Sequence, residues 1–379
     1  MKSYDATINC AYLLGGTVPH FDQTYMDLNP RAEFQEFMRR NVTTAYDFAS
    51  ILQHSTSFVG KRLKPKVHFA CAAATWRQES AVAIASGEDI GILCATLDLI
   101  SMRKNPILIV THGSYFGSRY WAYMARVLRT QKHVHWACLS KSLAECMINE
   151  HGFSPAQVHS CGYGVDTDFF SPQIIDDSYP MILAAGTANR DYKTLVSAVH
   201  GLDVEVRIAA DSAWYPVETN VQGLELPTNI ILKSAGNYLG LRELYAACRF
   251  VVVPMLPARF ACGYAVIAEA MAMGKAVIAT RTQVVSDFIR DGENGFLVEV
   301  GDVSGLRERI EWMLNNPMIA TTMGQQARKD IEEHWSLPAY CQRLESALTA
   351  TSSQFTSGGN PESSRFNATS KSFLDASTT

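Results

Sequence analysis

Several features that define other classes of protein are missing from this sequence. The chain of 379 residues contains nine cysteines, but no two form a C-x-x-C pair, and no cysteine–histidine cluster has zinc-ligand spacing. Most of the cysteines lie in apolar runs, which is typical of buried thiols in a reducing compartment. A nucleophile elbow and a phosphate-binding P-loop motif are also missing. We therefore expect no metal site and no resident cofactor.

Charge and long hydrophobic runs are scarce as well. Charged residues make up 18% of the chain and the formal net charge is −4, which gives no general electrostatic reason to bind nucleic acid. The N-terminus lacks the charged segment and apolar region of a secretion signal. No apolar run reaches the ~18 residues of a membrane span. These absences predict a cytoplasmic protein.

Along the sequence, short apolar runs alternate with longer amphipathic segments. This pattern predicts an α/β protein with parallel sheets. In the first half, we predict strands at 6–14, 67–74, 106–111 and 134–140 and helices at 32–53, 77–85, 120–129 and 141–150. In the second half, we predict strands at 181–185, 204–209, 229–232, 250–254, 276–280 and 295–298. Helices are predicted there at 193–199, 242–248, 265–273, 284–289, 303–314, 318–335 and 338–349.

Composition divides the chain into three parts. The polar stretch 176–180 is the best linker candidate, so we predict one domain at 1–175 and a second at 176–350. From residue 351 to 379 the sequence is rich in Ser, Thr, Asn and Gly, and we expect it to be disordered. A basic and aromatic stretch at 25–66 has two interpretations: an acceptor or membrane-surface helix, or a domain helix with a solvated basic side.

The strongest chemical signal is the stretch ACGYAVIAEAMAMGKAVIAT at 261–280. Gly263, Tyr264 and Ala265 open a predicted helix, whose free N–H groups and positive dipole suit a diphosphate. Glu269 lies mid-helix, where a carboxylate can accept hydrogen bonds from both hydroxyls of a ribose. A plain turn followed by a locally satisfied buried carboxylate is the alternative.

Three motifs in order resemble those of the retaining GT-B glycosyltransferases known as family 4. The helix carrying Glu269 is similar to the family's E-A-M-A-x-G-x-P-V-I-A signature. Downstream, 291–298 and 301–302 match its D-G-x-N-G-x-L-V and G-D run. Upstream, 164–172 resembles its inter-domain G-V-D-x-x-x-F-x-P signature. Asp166 and Asp168 form a D-x-D pattern there, which we assign to the hinge rather than to a metal ion.

The resemblance implies a fold and a reaction. The fold is GT-B, with two facing Rossmann-like domains and a C-terminal helix that crosses back to the N-terminal domain. The reaction is retaining, metal-independent transfer of a sugar from a nucleotide-diphosphate donor to an unidentified acceptor such as a polysaccharide, a glycolipid or a secondary metabolite. A non-catalytic or degenerate sugar-nucleotide-binding protein and a nucleotide-sugar epimerase are the alternatives.

One departure from the family pattern concerns the sugar. Family members carry two glutamates eight positions apart, and the first falls at Ala261 here. Because that glutamate lies near the donor sugar, its absence leaves the sugar contacts and the level of activity open.

Further site residues follow from their positions after predicted strands. Gly186 begins the loop after strand 181–185, and the resemblance implies that Arg190 and Lys193 supply the basic pair for the donor diphosphate. Solvated surface charge is the alternative there. Gly15 and Gly16 match a glycine-rich loop facing the donor, or form a plain turn. His112 ends strand 106–111, where the family places a histidine beside the sugar and acceptor. Ser140 is predicted to cap the helix that follows the next strand.

Overall fold

Two parallel β-sheets organise the chain. The computed structural model describes residues 10–14, 27–39, 43–46, 82–173, 181–210, 226–257, 261–282 and 285–356. The strands of the first sheet are β1 (Cys10–Leu13), β2 (Thr43–Tyr46), β3 (Val82–Ala85), β4 (Ile107–Thr111), β5 (Val134–Cys138) and β6 (Val158–Ser160). Those of the second are β7 (Met181–Ala185), β8 (Glu205–Ala209), β9 (Ile230–Leu232), β10 (Val251–Val253), β11 (Val277–Thr280) and β12 (Gly295–Val298).

Helices connect these strands in both halves. In the first half they are α1 (Glu33–Arg39), α2 (Glu88–Ile100), α3 (Arg119–Leu128) and α4 (Lys141–Asn149). In the second half they are α5 (Tyr192–Val199), α6 (Tyr238–Ala247), α7 (Tyr264–Ala272), α8 (Val303–Asn315), α9 (Pro317–Asp330) and α10 (Leu337–Thr356). Within the described ranges, none of the helices combines the length and apolar character needed to cross a membrane.

The strand order of each sheet sets the position of the site. The orders are β2-β1-β3-β4-β5-β6 and β12-β11-β10-β7-β8-β9, and every described pairing is parallel. The chain reverses its direction of progress between β1 and β3, and again between β7 and β10. In open parallel sheets a ligand crevice forms at such a reversal, outside the carboxyl ends of the strands. The fold therefore provides two facing crevices, as the GT-B prediction requires.

Buried apolar strands account for the two cores. All five residues of β4 and all five of β7 are buried, which agrees with a sheet covered on both faces. The first core contains an aromatic cluster in which the rings of Trp121 and Trp136 meet edge to face with centroids 5.4 Å apart. The parallel α/β interpretation of the sequence is confirmed, and most of the predicted strands lie within two residues of their predicted ends.

Two predicted helices of the first domain are wrong. The helix predicted at 77–85 is replaced at its end by β3, a central strand of the first sheet, because burial between two neighbouring strands overrides the helical preference of an alanine-rich run. The helix predicted at 32–53 ends at Arg39, and β2 occupies 43–46. The predicted strand 67–74, the linker 176–180 and Gly15 and Gly16 lie outside the described residues.

Two elements were missed. Helix α2 is apolar over much of its circumference, so its sequence gives no amphipathic signal. Its Gly91 packs so closely on β4 that a β-carbon there would lie 2.6 Å from Cγ2 of Ile109. Strand β6 is only three residues long and follows a short 3-10 turn at Pro155–Gln157, which leaves little pattern to recognise.

The last helix returns to the first domain, as the GT-B resemblance implies. Helix α9 ends in one π-helical turn at Ile331–Trp335, and α10 then packs on α1 and on the first sheet. Tyr340, Cys341 and Leu344 are buried in that contact. The helix continues to Thr356, seven residues beyond its predicted end. The remaining tail, 357–379, lies outside the described residues.

A buried carboxylate ties the hinge segment to the region before α1 in the first domain. Asp166 accepts three hydrogen bonds from Arg31: from the backbone N at 2.8 Å, from Nε at 3.0 Å and from Nη2 at 2.6 Å. Asp168 pairs with the same guanidinium. Burial alone would raise the pKa of Asp166, but the Arg31 hydrogen bonds lower it below its ordinary value. The D-x-D pattern is therefore engaged with an arginine at the hinge.

Helix α9 lies directly against the turn that follows α7, and Gly324 makes this approach possible. A β-carbon at Gly324 would lie 2.1 Å from the carbonyl oxygen of Gly274. We expect Gly324→Ala to lower the free energy of unfolding by about 1–3 kcal/mol, because a backbone atom cannot move aside as a side chain can. Urea unfolding measures this difference.

Gln325→Ala, on the exposed side of the same helix, is the matched control. Its stability should stay within about 0.5 kcal/mol of the parent protein. If Gly324→Ala were neutral or stabilising, as alanine usually is within a helix, the close contact with Gly274 would be wrong.

Candidate functional site

The crevice of the second sheet is lined by two loops that are hydrogen-bonded to each other. One follows β7 and the other follows β10. The N–H of Asp191 donates to Pro254 O at 3.0 Å, and the N–H of Leu256 donates to Asn189 O at 3.1 Å. Gly186 and Asn189 both adopt left-handed backbone angles, with φ of 88° and 56°. The sharp turns at these two residues keep the first loop close to the end of its strand.

Helix α7 begins in this crevice. Gly263 is its N-cap residue, with a φ of 84°, a left-handed value that favours glycine. Because glycine has no side chain, the first-turn amides at Tyr264 and Ala265 receive no cap from it. Such a helix start attracts an anionic group through both its N–H groups and its dipole. The helix starts at Gly263 as the sequence predicted, and the binding of a diphosphate by Gly263, Tyr264 and Ala265 stays a prediction.

Glu269 lies on the same helix and is 7% exposed. Its Oε2 accepts a hydrogen bond of 2.9 Å from the hydroxyl of Tyr245 on α6. Its Oε1 accepts no hydrogen bond within the described part of the chain. Burial raises the pKa of Glu269 to about 7, although the Tyr245 hydroxyl and the charge of Arg190 act in the opposite direction. One of the two carboxylate oxygens therefore has a hydrogen-bond donor and the other does not, and little water reaches either. Hydroxyl donors would stabilise the charged form.

Arg190 is turned into its own loop. It is 4% exposed, and its guanidinium donates from Nε to Ala185 O at 2.9 Å and from Nη1 to Ala188 O at 2.8 Å. Gly186 faces it so closely that a β-carbon there would lie 2.6 Å from Nη2. Burial lowers the pKa of Arg190. In this conformation the guanidinium holds the loop together, and a role toward a diphosphate stays a prediction.

Lys193, in contrast, is exposed. It is the second residue of α5, whose N-cap Asp191 accepts from the N–H of Thr194 at 3.1 Å. A cation in the first turn of a helix opposes the helix dipole, so it contributes nothing to capping. The lysine side chain is long, so its ammonium group can extend from the helix start and interact with an anion as a point charge.

His112 comes from the other domain, at the carboxyl end of β4. Its side chain is 43% exposed, and its Nδ1 lies 3.8 Å from Oε2 of Glu88. Burial alone would lower the pKa of His112, but the nearby negative charge of Glu88 raises it above its ordinary value. The first domain therefore presents a cationic imidazole toward the cleft over a wider pH range than a free histidine would.

Glu88 was not singled out from the sequence. It is the first residue of α2, is 3% exposed, and uses Oε1 to accept hydrogen bonds from four donors. These are the hydroxyl of Thr111 at 2.7 Å and the N–H groups of His112 at 3.0 Å, Gly113 at 2.7 Å and Ser114 at 3.2 Å. The loop that carries His112 is thus wound around one carboxylate. An acidic residue at a helix start was the available signal, but α2 itself was not predicted.

Hydrogen bonds connect the two walls of the cleft beside His112. The N–H of Ala261, in the loop before α7, donates to the carbonyl oxygen of His112 at 2.7 Å. The N–H of Lys141 donates to Oδ2 of Asp287 at 2.8 Å. Ser140 caps α4 by accepting from the N–H of Leu143 at 3.0 Å, as predicted. These contacts bring His112 of the first domain next to the loop that leads into α7, whereas Gly15 and Gly16 lie outside the described residues.

Metal-ligand geometry does not occur in the described ranges, where no group of three or more His, Cys, Asp and Glu side chains is arranged to hold an ion. Of the charged residues predicted for the second domain, Glu269 lies on α7 itself, Lys193 is exposed at the start of α5, and Arg190 is enclosed in its loop. The site can hold an anion by amide groups and a lysine, and a hydroxylated ring by a carboxylate.

The Glu88–His112 pair has a testable electrostatic consequence. We expect Glu88→Gln to lower the pKa of His112, because the carboxylate is what raises it against burial. An NMR titration of the imidazole resonances measures this change. His151, whose pKa is lowered by burial, serves as the internal control and should not change.

The sign of the linked stability follows from both shifts. The lowered pKa of Glu88 adds stability above its ordinary value of 4.5, and the raised pKa of His112 adds stability below its ordinary value of 6.5. The pair therefore stabilises most between these values, and this contribution is lost as the pH rises through the raised pKa of His112. An unchanged His112 titration in the variant would contradict the pairing.

Comparison with known families identifies the second domain. The family described as "Glycosyl transferases group 1" matches residues 166–330. An uncharacterized glycosyltransferase of Methanocaldococcus jannaschii is 25% identical over 154 residues, which is 41% of this chain and 43% of that protein. The MMP alpha-(1->4)-mannosyltransferase of Mycolicibacterium hassiacum is 27% identical over 207 residues, 52% of this chain and 49% of that protein. Both matches span less than half of the relative.

Solved structures match over almost the whole chain. A glycosyltransferase from Rickettsia africae superposes with a TM-score of 0.69 at 15% identity, covering 91% of this chain and 99% of that one. HepE of Anabaena, solved in complex with UDP-glucose, gives a TM-score of 0.67 at 15% identity and covers 90% and 99%. These likenesses confirm the GT-B fold. Residues 166–330 thus form a glycosyl transferases group 1 domain within a chain of GT-B fold.

Proposed function

We propose that the protein is a metal-independent, retaining glycosyltransferase of family 4 that takes its sugar from a nucleotide-diphosphate donor. The observation that carries this proposal is the arrangement on α7, where an uncapped helix start at Gly263 and the unpaired Oε1 of Glu269 lie on one element. A nucleoside diphosphate offers a matching pair of groups, because its diphosphate is anionic and its ribose has two hydroxyl donors. HepE, which shares the fold, is solved with UDP-glucose and with UDP.

The chemistry that this geometry supports is leaving-group stabilisation. The acceptor hydroxyl oxygen bonds to the anomeric carbon as the bond from that carbon to the diphosphate breaks. The acceptor proton passes to the departing diphosphate oxygen, so no protein base is required. Amide groups at Gly263 and the ammonium of Lys193 stabilise the charge that develops there. Attack from the face that the diphosphate leaves retains the anomeric configuration.

His112 contacts the sugar from the opposite wall of the cleft in this proposal. Its imidazole is oriented by Glu88 and can donate a hydrogen bond to a sugar hydroxyl or to the diphosphate. The acceptor enters from the first domain, and its class stays open. Seven of the eight described cysteines are buried free thiols, which suits the reducing compartment expected of a cytoplasmic protein.

A second candidate is a sugar-nucleotide-binding protein without transfer. Two observations favour it: Ala261 occupies the place of the first family glutamate, and the guanidinium of Arg190 is enclosed in its own loop. Incubation with a panel of nucleotide sugars distinguishes the two. Release of nucleoside diphosphate supports transfer, whereas thermal stabilisation by a donor without turnover supports the binding protein.

Donor affinity should depend on the ionisation of Glu269. The carboxylate must be charged to accept two ribose hydroxyls fully, and its pKa of about 7 means that acid protonates it. We expect UDP to bind about tenfold more weakly near pH 6 than near pH 8, as measured by calorimetry.

Glu269→Gln is the control for this pH dependence, because its amide does not titrate. Its affinity for UDP should be low and nearly constant over the same range. If the parent protein and the variant showed parallel pH profiles, Glu269 would not be the ribose carboxylate. Glu269→Ala should weaken UDP binding further, since no acceptor oxygen remains.

Lys193 and Arg190 should respond differently to neutral substitution. We expect Lys193→Gln to reduce kcat by about tenfold to a hundredfold with little change in melting temperature, because an exposed charge stabilises the leaving diphosphate. We expect Arg190→Gln to lower the melting temperature, since it leaves Ala185 O and Ala188 O without their donors.

Thermal unfolding and steady-state kinetics on both variants measure these effects. Lys329→Gln, an exposed lysine on α9 of the same domain, is the matched control and should change neither quantity. Full turnover in Lys193→Gln would remove this lysine from the mechanism.

A further inference from the structure

An exposed apolar and basic surface lies on the first domain, away from the cleft. At the end of α2, Ile100 is 73% exposed and Met102 is 90% exposed. On the outer side of α3, Tyr123 is 67% exposed. Side chains of this size are rarely left together in water without a function. We call this set, with its surrounding cations, the α2–α3 surface.

Cations surround these side chains and acidic residues are absent from the segment. Between residues 99 and 144 the sequence contains no Asp or Glu, although the whole chain has a net charge of −4. The exposed cations of the α2–α3 surface are Arg103, Lys104, Arg126, Arg129 and Lys132. The surface therefore has a local charge opposite in sign to that of the molecule.

Topology places the two helices side by side. Helix α2 connects β3 to β4 and α3 connects β4 to β5, and these three strands are consecutive neighbours in one parallel sheet. Right-handed crossovers place both helices on the same face of that sheet. Their C-terminal ends, with Met102 and Arg126, point to the edge opposite the carboxyl ends of the strands. Contact made there leaves the cleft open.

Met102 also departs from the residue that its backbone favours. It follows the end of α2 with a φ of 55°, in the left-handed region, and the N–H of Arg103 closes the helix by bonding to Asp98 O at 2.8 Å. Glycine or asparagine is the usual residue at such a helix end. A large apolar side chain is therefore held in the solvent at a cost in stability, which indicates a use for it.

We propose that the α2–α3 surface binds an anionic lipid bilayer. The apolar side chains of Ile100 and Met102 enter the acyl boundary, and the cations pair with phosphate headgroups. A soluble polyanion would satisfy the cations but gives no reason to expose the apolar side chains. The surface is distinct from the stretch 25–66 in which the sequence suggested a membrane-surface helix, and the proposal does not depend on the transfer reaction.

Vesicle sedimentation with the full chain tests this proposal. We expect the protein to sediment with vesicles of phosphatidylcholine and phosphatidylglycerol, and to do so much less with phosphatidylcholine alone or at high salt. Lys104→Gln combined with Arg126→Gln should weaken binding by about fivefold for each charge. Lys233→Gln, on the second domain, is the matched control and should bind as the parent does.

Met102→Gly separates binding from folding. It should raise the melting temperature, because glycine suits the left-handed angle, and it should weaken vesicle binding at the same time. Met318→Ser is the control, because Met318 is also a highly exposed methionine (82%). Serine replaces it rather than glycine because Met318 lies within α9. Its vesicle binding should equal that of the parent.

Three results would overturn the proposal. The first is an absence of sedimentation with anionic vesicles. The second is equal binding by the Lys104→Gln, Arg126→Gln double variant. The third is undiminished binding by Met102→Gly, together with capture by dextran sulfate, which would assign the surface to a soluble polyanion.

Discussion

The two walls of the cleft belong to separate sheets, and both are tied to the hinge segment 164–172, which the Arg31–Asp166 pair holds against the first domain. A bidentate guanidinium fixes both distance and angle, and its hydrogen bonds lower the pKa of Asp166 against the opposing effect of burial. Arg328 completes the junction from the other side, donating to Phe170 O at 2.7 Å and to Ala272 O at 2.6 Å, at the end of α7. The helix that carries Glu269 is thus tied directly to the hinge, and the position of the site follows that of the domains.

The sequence motifs that carry the family resemblance are mostly structural. Asn294 of the D-G-x-N-G turn is completely buried, and it donates to Phe288 O and to Asp330 while accepting from the N–H of Arg290. Gly164 allows the inter-domain segment to lie on α10, where a β-carbon would be 2.6 Å from Tyr340 Cβ. Such positions tolerate few residues, because a buried amide needs its partners and a close approach needs a glycine. The fold was therefore predictable wherever backbone geometry restricted the choice of residue.

The site was predictable only in part, and the reason is physical. The helix start at Gly263 and the carboxylate of Glu269 lie within one short segment, so the sequence alone could predict that they belong to the same site. The partners of these groups come from distant segments: Tyr245 lies 24 residues before Glu269, and Glu88 lies 24 residues before His112. A sequence pattern does not show which distant residues meet. The inward orientation of Arg190 was equally hidden, since it depends on two carbonyl oxygens of its own loop rather than on residue type.

The hydrogen bond between Ala261 and His112 shows that the position of the family's first glutamate is a point of backbone contact across the cleft. A methyl group at 261 lets the loop before α7 approach His112 closely enough for backbone to meet backbone across the cleft. The contact uses main-chain atoms, so substitution at either residue leaves its donor and acceptor in place. Any opening of the cleft at this point breaks a main-chain hydrogen bond between its two walls, so closure of the cleft is already favoured by the backbone itself.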